Sequence, residues 1–424
     1  MSTTPLTERI RADRTPMTLE EYRAAGGYDG LHQALAMAPT DITALLKDAN
    51  LRGRGGAGFP TGLKWSFVPM DDNTGLKYII CNADEMEPGT FKDRLLLEGD
   101  PHQMIEAMIV SGYAIQANVG YIFLRGEYKL AAQRLRTAMA EAREAGLLGR
   151  NVQGSGFDFE LYLHTSAGRY ICGEETALLS SLQGERAVPR AKPPFPQQVG
   201  LFGRPSVVNN VETLCNVPHI VREGVDWFRN LSHSEDGGTK LYGASGRVNN
   251  PGVYELPIGT PLREVLEEHA GGMKDGYQFK AVLPGGASTP MLTRDHLDLA
   301  LDFDSVGKAG SRLGTGTLVV IDDRTSIVGL LRNLEHFFAQ ESCGWCTPCR
   351  DGLSWVEKIL AQMQAGAGQP GDIEVLEQHV RDLGPGKAFC AHAPGAVGPL
   401  DTALRYFRDE FEQAIAAHAT AGGQ

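Results

Sequence analysis

The stretch Glu341-Ser-Cys-Gly-Trp-Cys-Thr-Pro-Cys-Arg350 constrains this chain more than any other, because it sets Cys343, Cys346 and Cys349 at strict three-residue spacing. Gly344 and Pro348 bend the backbone between them. Thiols this close in sequence cannot all pair as disulfides, but they can all point at one metal centre. A fourth soft ligand is then needed, and only Cys390 follows, in Gly386-Lys-Ala-Phe-Cys-Ala-His392. A Cys-x-x-Cys-x-x-Cys triplet with one remote cysteine is the pattern of a [4Fe–4S] cluster. The triplet wraps three irons and the distant segment closes the fourth. Two readings compete. Structural zinc usually takes four thiolates as two separated Cys-x-x-Cys pairs, and a set of buried thiols leaves the regular spacing to chance. No short Cys-Pro spacing of the bacterial ferredoxin kind follows Cys349, so a single cluster is expected.

The composition of the 424 residues, 42% apolar and 22% charged, is that of a globular protein with room for about three domains. A net charge of −12 argues against nucleic acid and against anionic lipid as partners. Cys81, Cys172 and Cys215 sit in apolar contexts and are expected as buried thiols, a usage that suits a reducing cytosol. No apolar run approaches the roughly 20 residues that span a bilayer. The polar start, Met1 to Ile10, lacks the apolar core of a signal peptide. Attachment to a membrane is therefore expected only through another subunit.

Along the chain, Thr18-Leu-Glu-Glu-Tyr22 carries a capping box and opens a helix that Gly26-Gly27 stops. A second helix is expected over Thr40–Ala49. Then Gly53, Gly55 and Gly58 match G-x-G-x-x-G, but a helix rather than a strand precedes them, so the dinucleotide-binding context fails. With Arg54 and Lys64 beside it, the loop still offers bare, cationic backbone to a phosphate and flat rings, which Phe59, Trp65 and Phe67 could stack on. A plain surface turn is the alternative. Strands are expected over Lys77–Asn82, Val119–Leu124 and Phe157–Leu163, with helices over Pro101–Ala117 and Glu127–Ala145 between them. That rhythm predicts a parallel sheet covered by helices. Acidic residues after the first strand, in Ala83-Asp-Glu-Met-Glu87, fall where such folds place ligands.

Glu174 and Glu175 open a helix to Leu182, where they either complement its dipole or touch a ligand. A proline-rich loop carries Lys192 and Phe195, and Asn209 and Asn210 lead into another helix as ligands or as a cap. From about Gly237 a small α+β module is expected, with strands at 239–248, 252–256, 279–283 and 317–321. Its helix is expected to start with Thr260 as N-cap and stop at Gly271. From Ser326 the chain reads as helical, with helices over 353–363, 373–383 and 400–417 after the cysteine triplet.

Several long motifs now agree in order. Gly53–Trp65, Cys81-Asn-Ala-Asp-Glu-Met-Glu-Pro-Gly89, Gly173-Glu-Glu-Thr176, Val208-Asn-Asn-Val-Glu-Thr213 and Glu341–Cys349 resemble the NADH- and flavin-binding subunit of respiratory complex I, in its bacterial form. The resemblance covers nearly the whole chain; Ser206 and Leu301 stand where threonine and methionine are expected. It implies a multidomain α/β fold: helices and glycine loop over 1–72, a Rossmann-like FMN- and NADH-binding domain over 73–236, a ubiquitin-like (β-grasp) domain over 237–325, and a helical bundle with the [4Fe–4S] cluster over 326–424. It implies FMN contacts at Gly53, Arg54, Gly55, Gly56, Lys64, Asn82, Asp84, Glu85, Gly173, Glu174, Asn209, Asn210 and Thr213. NADH contacts are implied at Phe59, Phe67, Glu87, Tyr170, Glu175, Lys192 and Phe195, and cluster ligation at Cys343, Cys346, Cys349 and Cys390. No side chain is expected as an acid or base, because hydride passes directly to FMN.

The implied function is electron entry to an NADH:quinone oxidoreductase. Hydride passes from NADH to FMN, and electrons pass singly to the cluster and on to partners. The implied partners are a thioredoxin-like [2Fe–2S] subunit and a large multi-cluster subunit, in a cytoplasmic assembly peripheral to the plasma membrane. A neighbouring reading is the diaphorase subunit of a soluble NAD-linked hydrogenase or formate dehydrogenase. A reading of another class is a non-catalytic scaffold, with zinc at Cys343–Cys390 and the glycine loop as a binding surface.

Overall fold

The structure is a computed structural model that describes residues 3–71 and 75–421, the last five by their backbone course alone. The boundary expected at 72/73 lies outside the described residues. The chain forms two compact units. One comprises Met1–Met86, Thr90–Tyr242 and Val253–Thr260, and the other Glu87–Gly89, Gly243–Gly252 and Pro261–Gln424.

In the first unit, β1 (Tyr78–Ala83), β2 (Val119–Leu124), β3 (Glu160–Thr165) and β4 (Ser206–Asn210) make a four-stranded sheet in the order β3-β2-β1-β4. Every pairing is parallel; Ile80 aligns with Tyr121 on one side and Val208 on the other. Parallel strands need helical crossovers, which bury both faces. Accordingly β1 reads Tyr-Ile-Ile-Cys-Asn-Ala and is buried except at Asn82. The Pro101–Ile115 helix is buried at every position but Tyr113, because its apolar residues run all round rather than along one stripe. Asp100 caps it by accepting from Gln103 N. Cys81, Cys172 and Cys215 are buried thiols, as expected.

The strand β4 departs from the expectation of a plain helix lead. Ser206-Val-Val-Asn-Asn is too short and too polar at its end to announce a strand, and its pairing with β1 makes it one. Its position also reverses the sheet: the chain steps from β1 outward to β2 and β3, then returns to the other side of β1.

In the second unit, the Gly243–Gly246 half of β5 (Thr239–Gly246) pairs in parallel with β9 (Thr317–Asp322). Antiparallel pairings of β7 (Phe279–Leu283) with β9 and with β8 (Leu292–Thr293) complete that sheet. The strand β6 (Gly252–Pro257) also follows expectation. The helix expected to be capped by Thr260 instead starts at Leu262 with Pro261 at its cap, and turns to π geometry over Val265–His269. The Thr260 hydroxyl is spent on Pro257 O at 2.7 Å. The helices Ile327–Glu341, Leu353–Gln364 and Asp372–Leu383 run close to expectation. The helix expected over 400–417 is two, His392–Tyr406 and Arg408–Ala421, parted at Phe407.

Candidate functional site

An open parallel sheet holds ligands outside the carboxyl ends of the strands where the strand order reverses. Here that point lies between β1 and β4, whose ends are Asn82–Ala83 and Asn209–Asn210. Asn82 Nδ2 donates to Gly173 O at 2.9 Å, which ties the segment before the Glu175–Leu182 helix to the end of β1. On the β4 side, Trp65 Nε1 donates to Asn209 Oδ1 at 2.9 Å, and Lys64 Nζ donates to Val208 O at 2.7 Å. The Arg54 amide donates to Thr213 Oγ1 at 2.8 Å. The glycine loop at Arg54 and Gly55, with Lys64, Asn82, Gly173, Asn209, Asn210 and Thr213, therefore gathers about the carboxyl ends of β1 and β4, where such folds form their binding crevice.

The glycines serve close approach. A side chain on Gly55 would meet Asn210 Cβ at 2.9 Å, and Gly56 and Gly58 adopt φ of 126° and 64°, where glycine is favoured. A side chain on Gly173 would meet nothing nearer than Asp84 O at 3.8 Å, so that side of its Cα is open to a flat ring. The buried Arg54 Nε meets no hydrogen-bond partner among the described residues. Bare backbone, an unsatisfied buried donor and convergent amides suit a flavin mononucleotide.

Several residues expected as flavin ligands also support the fold. Arg54 is fully buried and donates to Gly237 O and Thr239 O. Glu85 accepts from Asp93 N and Arg94 N, at the start of the Asp93–Gly99 helix, and from Tyr128 Oη. Burial pushes its carboxyl up to about 7, helped by the neighbouring Asp93. Asp84 Oδ1 accepts from Ser166. Glu174 Oε2 caps the Glu175–Leu182 helix through Thr176 N and Ala177 N, so it both completes a helix dipole and lies beside the crevice.

Of the expected nicotinamide contacts, Glu175 and Lys192 meet directly. Lys192 Nζ lies 3.3 Å from both Glu174 Oε1 and Glu175 Oε2, and Lys64 Nζ lies 2.5 Å from Glu175 Oε1. Although burial raises the Glu175 carboxyl, the two ammoniums outweigh it and hold the group below the usual range. Phe59, Phe67 and Phe195 are exposed aromatics, at 48%, 52% and 52%, which leaves their faces free for a ring. Tyr170 lies in the short 3₁₀ turn Tyr170–Gly173. Glu87 belongs to the second unit, where Oε1 accepts from Ser288 N at 2.6 Å.

Sequence reasoning passes over Lys92, Asp93, Glu212 and Lys240, which form a buried ionic chain under this crevice. Glu212 lies inside the Val208–Thr213 motif. Nothing in the spacing of the other three ties them to it.

In the second unit, the Ile327–Glu341 helix delivers the chain to the cysteine loop. Gly344 takes φ of 73° and turns the backbone between Cys343 and Cys346. Pro348 opens a π turn, Pro348–Gly352, that carries Cys349 inward. Ser342 Oγ lies 3.2 Å from Cys349 Sγ, and Arg350 Nη1 donates to Gly344 O at 3.2 Å. Cys390 comes from the loop before the His392–Tyr406 helix, and His392 Nε2 meets Phe338 O at 2.8 Å. Burial pushes the Cys349 thiol up to about 12; Ser342 pulls it back, and charge on Cys346, Cys390 and Cys343 pushes it further. Among the described residues no three His, Cys, Asp or Glu side chains converge as ligands of a single ion. A cubane binds each thiolate to its own iron, so its ligands need no such convergence. Trp345 and Phe389 form an edge-to-face pair at 6.3 Å beside these loops, both exposed.

Comparison with known proteins supports both cofactors. Residues 46–219 match the Nuo51 FMN-binding domain, 244–292 an SLBB domain, and 329–414 the NADH-ubiquinone oxidoreductase-F iron–sulfur binding region. The chain is 62% identical over 414 residues to the F subunit of NADH-quinone oxidoreductase from Salmonella typhimurium, and likewise 62% to that from Escherichia coli, covering 97% of this chain and 93% of each relative. Among solved structures, an NAD+-reducing [NiFe]-hydrogenase in the H2-reduced state is similar, with TM-score 0.82 and 36% identity over 90% of this chain. This chain spans 63% of that hydrogenase chain's length.

Proposed function

Since the chain belongs to the family of NADH-quinone oxidoreductase F subunits, with its FMN and [4Fe–4S] cofactors, we propose which residues carry the electrons. The flavin takes up a hydride and releases its electrons singly, which neither NADH nor an iron–sulfur cluster can do with the other. The single observation that carries the assignment is the crevice between β1 and β4, where the glycine loop, Asn82, Gly173, Asn209 and Asn210 meet. Gly53, Arg54, Gly55, Gly56, Lys64, Asn82, Asp84, Glu85, Gly173, Glu174, Asn209, Asn210 and Thr213 hold FMN, some directly and some by bracing the loop.

Phe59, Phe67, Glu87, Tyr170, Glu175, Lys192 and Phe195 position NADH. The exposed phenyl rings offer stacking surface, and the Lys64–Glu175–Lys192 cluster fixes polar groups at the rim. Orientation rather than proton transfer is their work. Cys343, Cys346, Cys349 and Cys390 ligate the cluster, with Ser342 and Arg350 bracing the loop. The expected four-part division of the chain, at 72/73, 236/237 and 325/326, serves as the functional layout.

Enzymes of this family work with partner subunits. We assign as partners a thioredoxin-like [2Fe–2S] protein and a large multi-cluster iron–sulfur protein. Among the described residues no helix is long and apolar enough to cross a membrane, which supports attachment to one through other subunits. The test is an anaerobic absorption spectrum of the full chain, reconstituted with FMN, iron and sulfide, before and after NADH. Flavin bands over a broad iron–sulfur background that bleach with NADH are expected. A spectrum that NADH leaves unchanged overturns the assignment.

A further inference from the structure

The floor of the crevice holds a cluster of buried charged side chains. Lys92, Glu212 and Lys240 have fully buried side chains. Both ammoniums lie 2.7 Å from the same oxygen, Glu212 Oε2. Lys92 Nζ also lies 2.7 Å from Asp93 Oδ1, and Glu212 Oε1 accepts from Leu241 N. Arg54, fully buried, adds a third cation whose charge acts on Glu212. Arg54, Lys92 and Lys240 thus gather on Asp93 and Glu212. Glu85 and Asp236 are the other acids that reach them, Glu85 through Lys92 and Asp93, Asp236 through Arg54.

Here burial pushes the Lys240 ammonium down to about 7 even beside Glu212, whereas Asp93, Glu212 and Glu85 together hold Lys92 charged against its burial. The cluster reaches the crevice through Asn210 and through Arg54 in the glycine loop. Asn210 packs against Gly55, donates from Nδ2 to Asp93 Oδ2 at 2.6 Å, and receives Lys92 Nζ at Oδ1 at 3.4 Å.

We propose that the net charge of the buried Arg54–Lys92–Asp93–Glu212–Lys240 cluster sets the reduction potential of the flavin held above Asn210 and the glycine loop. The inference rests on the reading of this crevice as the FMN site. Uptake of a hydride brings two electrons and one proton, hence one negative charge, into the crevice. Each buried cation beneath the site favours that charge before it arrives, and each buried carboxylate opposes it. These residues tune the site through Asn210 and the loop; none is placed on the nicotinamide.

The experiment is a potentiometric titration of flavin absorbance in the full chain loaded with FMN and its cluster. Lys92→Met is expected to shift the flavin midpoint downward and Glu212→Gln upward. The double variant, in which one charge of each sign is gone, is expected near the parent, as is Lys92→Arg. Should Lys92→Met purify without FMN, Lys240→Met, which leaves Glu212 its Lys92 partner, is expected to give the downward shift. Shifts of one sign in both single variants, or no shift in variants that hold FMN, overturn the inference. So does loss of FMN from both methionine variants when Lys92→Arg retains it, since that makes the lysines supports of the fold. A parent chain that takes up no FMN would instead overturn the reading of the crevice itself.

Discussion

Glu335 lies on the buried face of the Ile327–Glu341 helix, among Leu331, Leu334 and Phe338. It is fully buried, and neither carboxyl oxygen has a hydrogen-bond partner among the described residues. Burial, and then the charge of Glu357, raise its proton affinity well above that of an ordinary glutamate. The unfolded chain releases this proton at the usual carboxylate pKa, whereas the folded chain keeps it to higher pH. The stability held by the protonated form is thus complete below the unfolded pKa and drains away as pH rises toward the folded one. Glu335→Leu, which removes the unsatisfied group, is expected to stabilise the fold by about 1–3 kcal/mol. Thermal melts at pH 5 and pH 8 check this: the gain must be larger at pH 8, and an equal gain at both sinks the account. Sequence periodicity puts Leu330 and Phe337 on the buried face, where both are only half-buried, and gives no sign of Glu335. A glutamate reads as surface in any pattern, and only the packing of the bundle shows otherwise.

Among the elements, the short helices around the crevice depend on caps drawn from the site. Glu174 Oε2 accepts from Thr176 N, Ala177 N and Thr176 Oγ1, so one carboxylate starts the Glu175–Leu182 helix. Glu174→Ala is expected to cost about 1 kcal/mol in the FMN-free chain, as cap losses do. Chemical denaturation measures it, and an unchanged midpoint would mean that the helix starts without this residue. The elements that the sequence announces are those with local punctuation. The Thr18 box forms as expected, since it needs only neighbours in sequence. The breaks that depend on distant groups are hidden. Phe407 splits two helices where no glycine or proline stands, under the Lys280 ammonium at 5.5 Å, and Lys280 also pairs with Glu410 at 2.5 Å. Likewise β4 exists because β1 offers it an edge.

At the scale of the molecule, the two chemistries occupy different compact units: the flavin crevice is built in the first and the cysteine loops in the second. Damage to one centre should therefore spare the other. Cys390→Ser is expected to remove the broad iron–sulfur absorption while FMN stays bound and still bleaches with NADH. Anaerobic spectra with quantified FMN and iron check it, and loss of FMN in this variant would count against the separation. The cysteine pattern is legible because metal ligation demands fixed spacing. The charges under the crevice are not, because Lys92, Glu212 and Lys240 meet only in the folded chain.

The cysteine rim carries one more consequence. Cys343, Cys346 and Cys390 are each partly open to solvent, and only Cys349 is buried. Exchange of metal at this rim would then call for no melting of the helices that frame it, and a reagent for thiols would find three of the four sulfurs before the fourth.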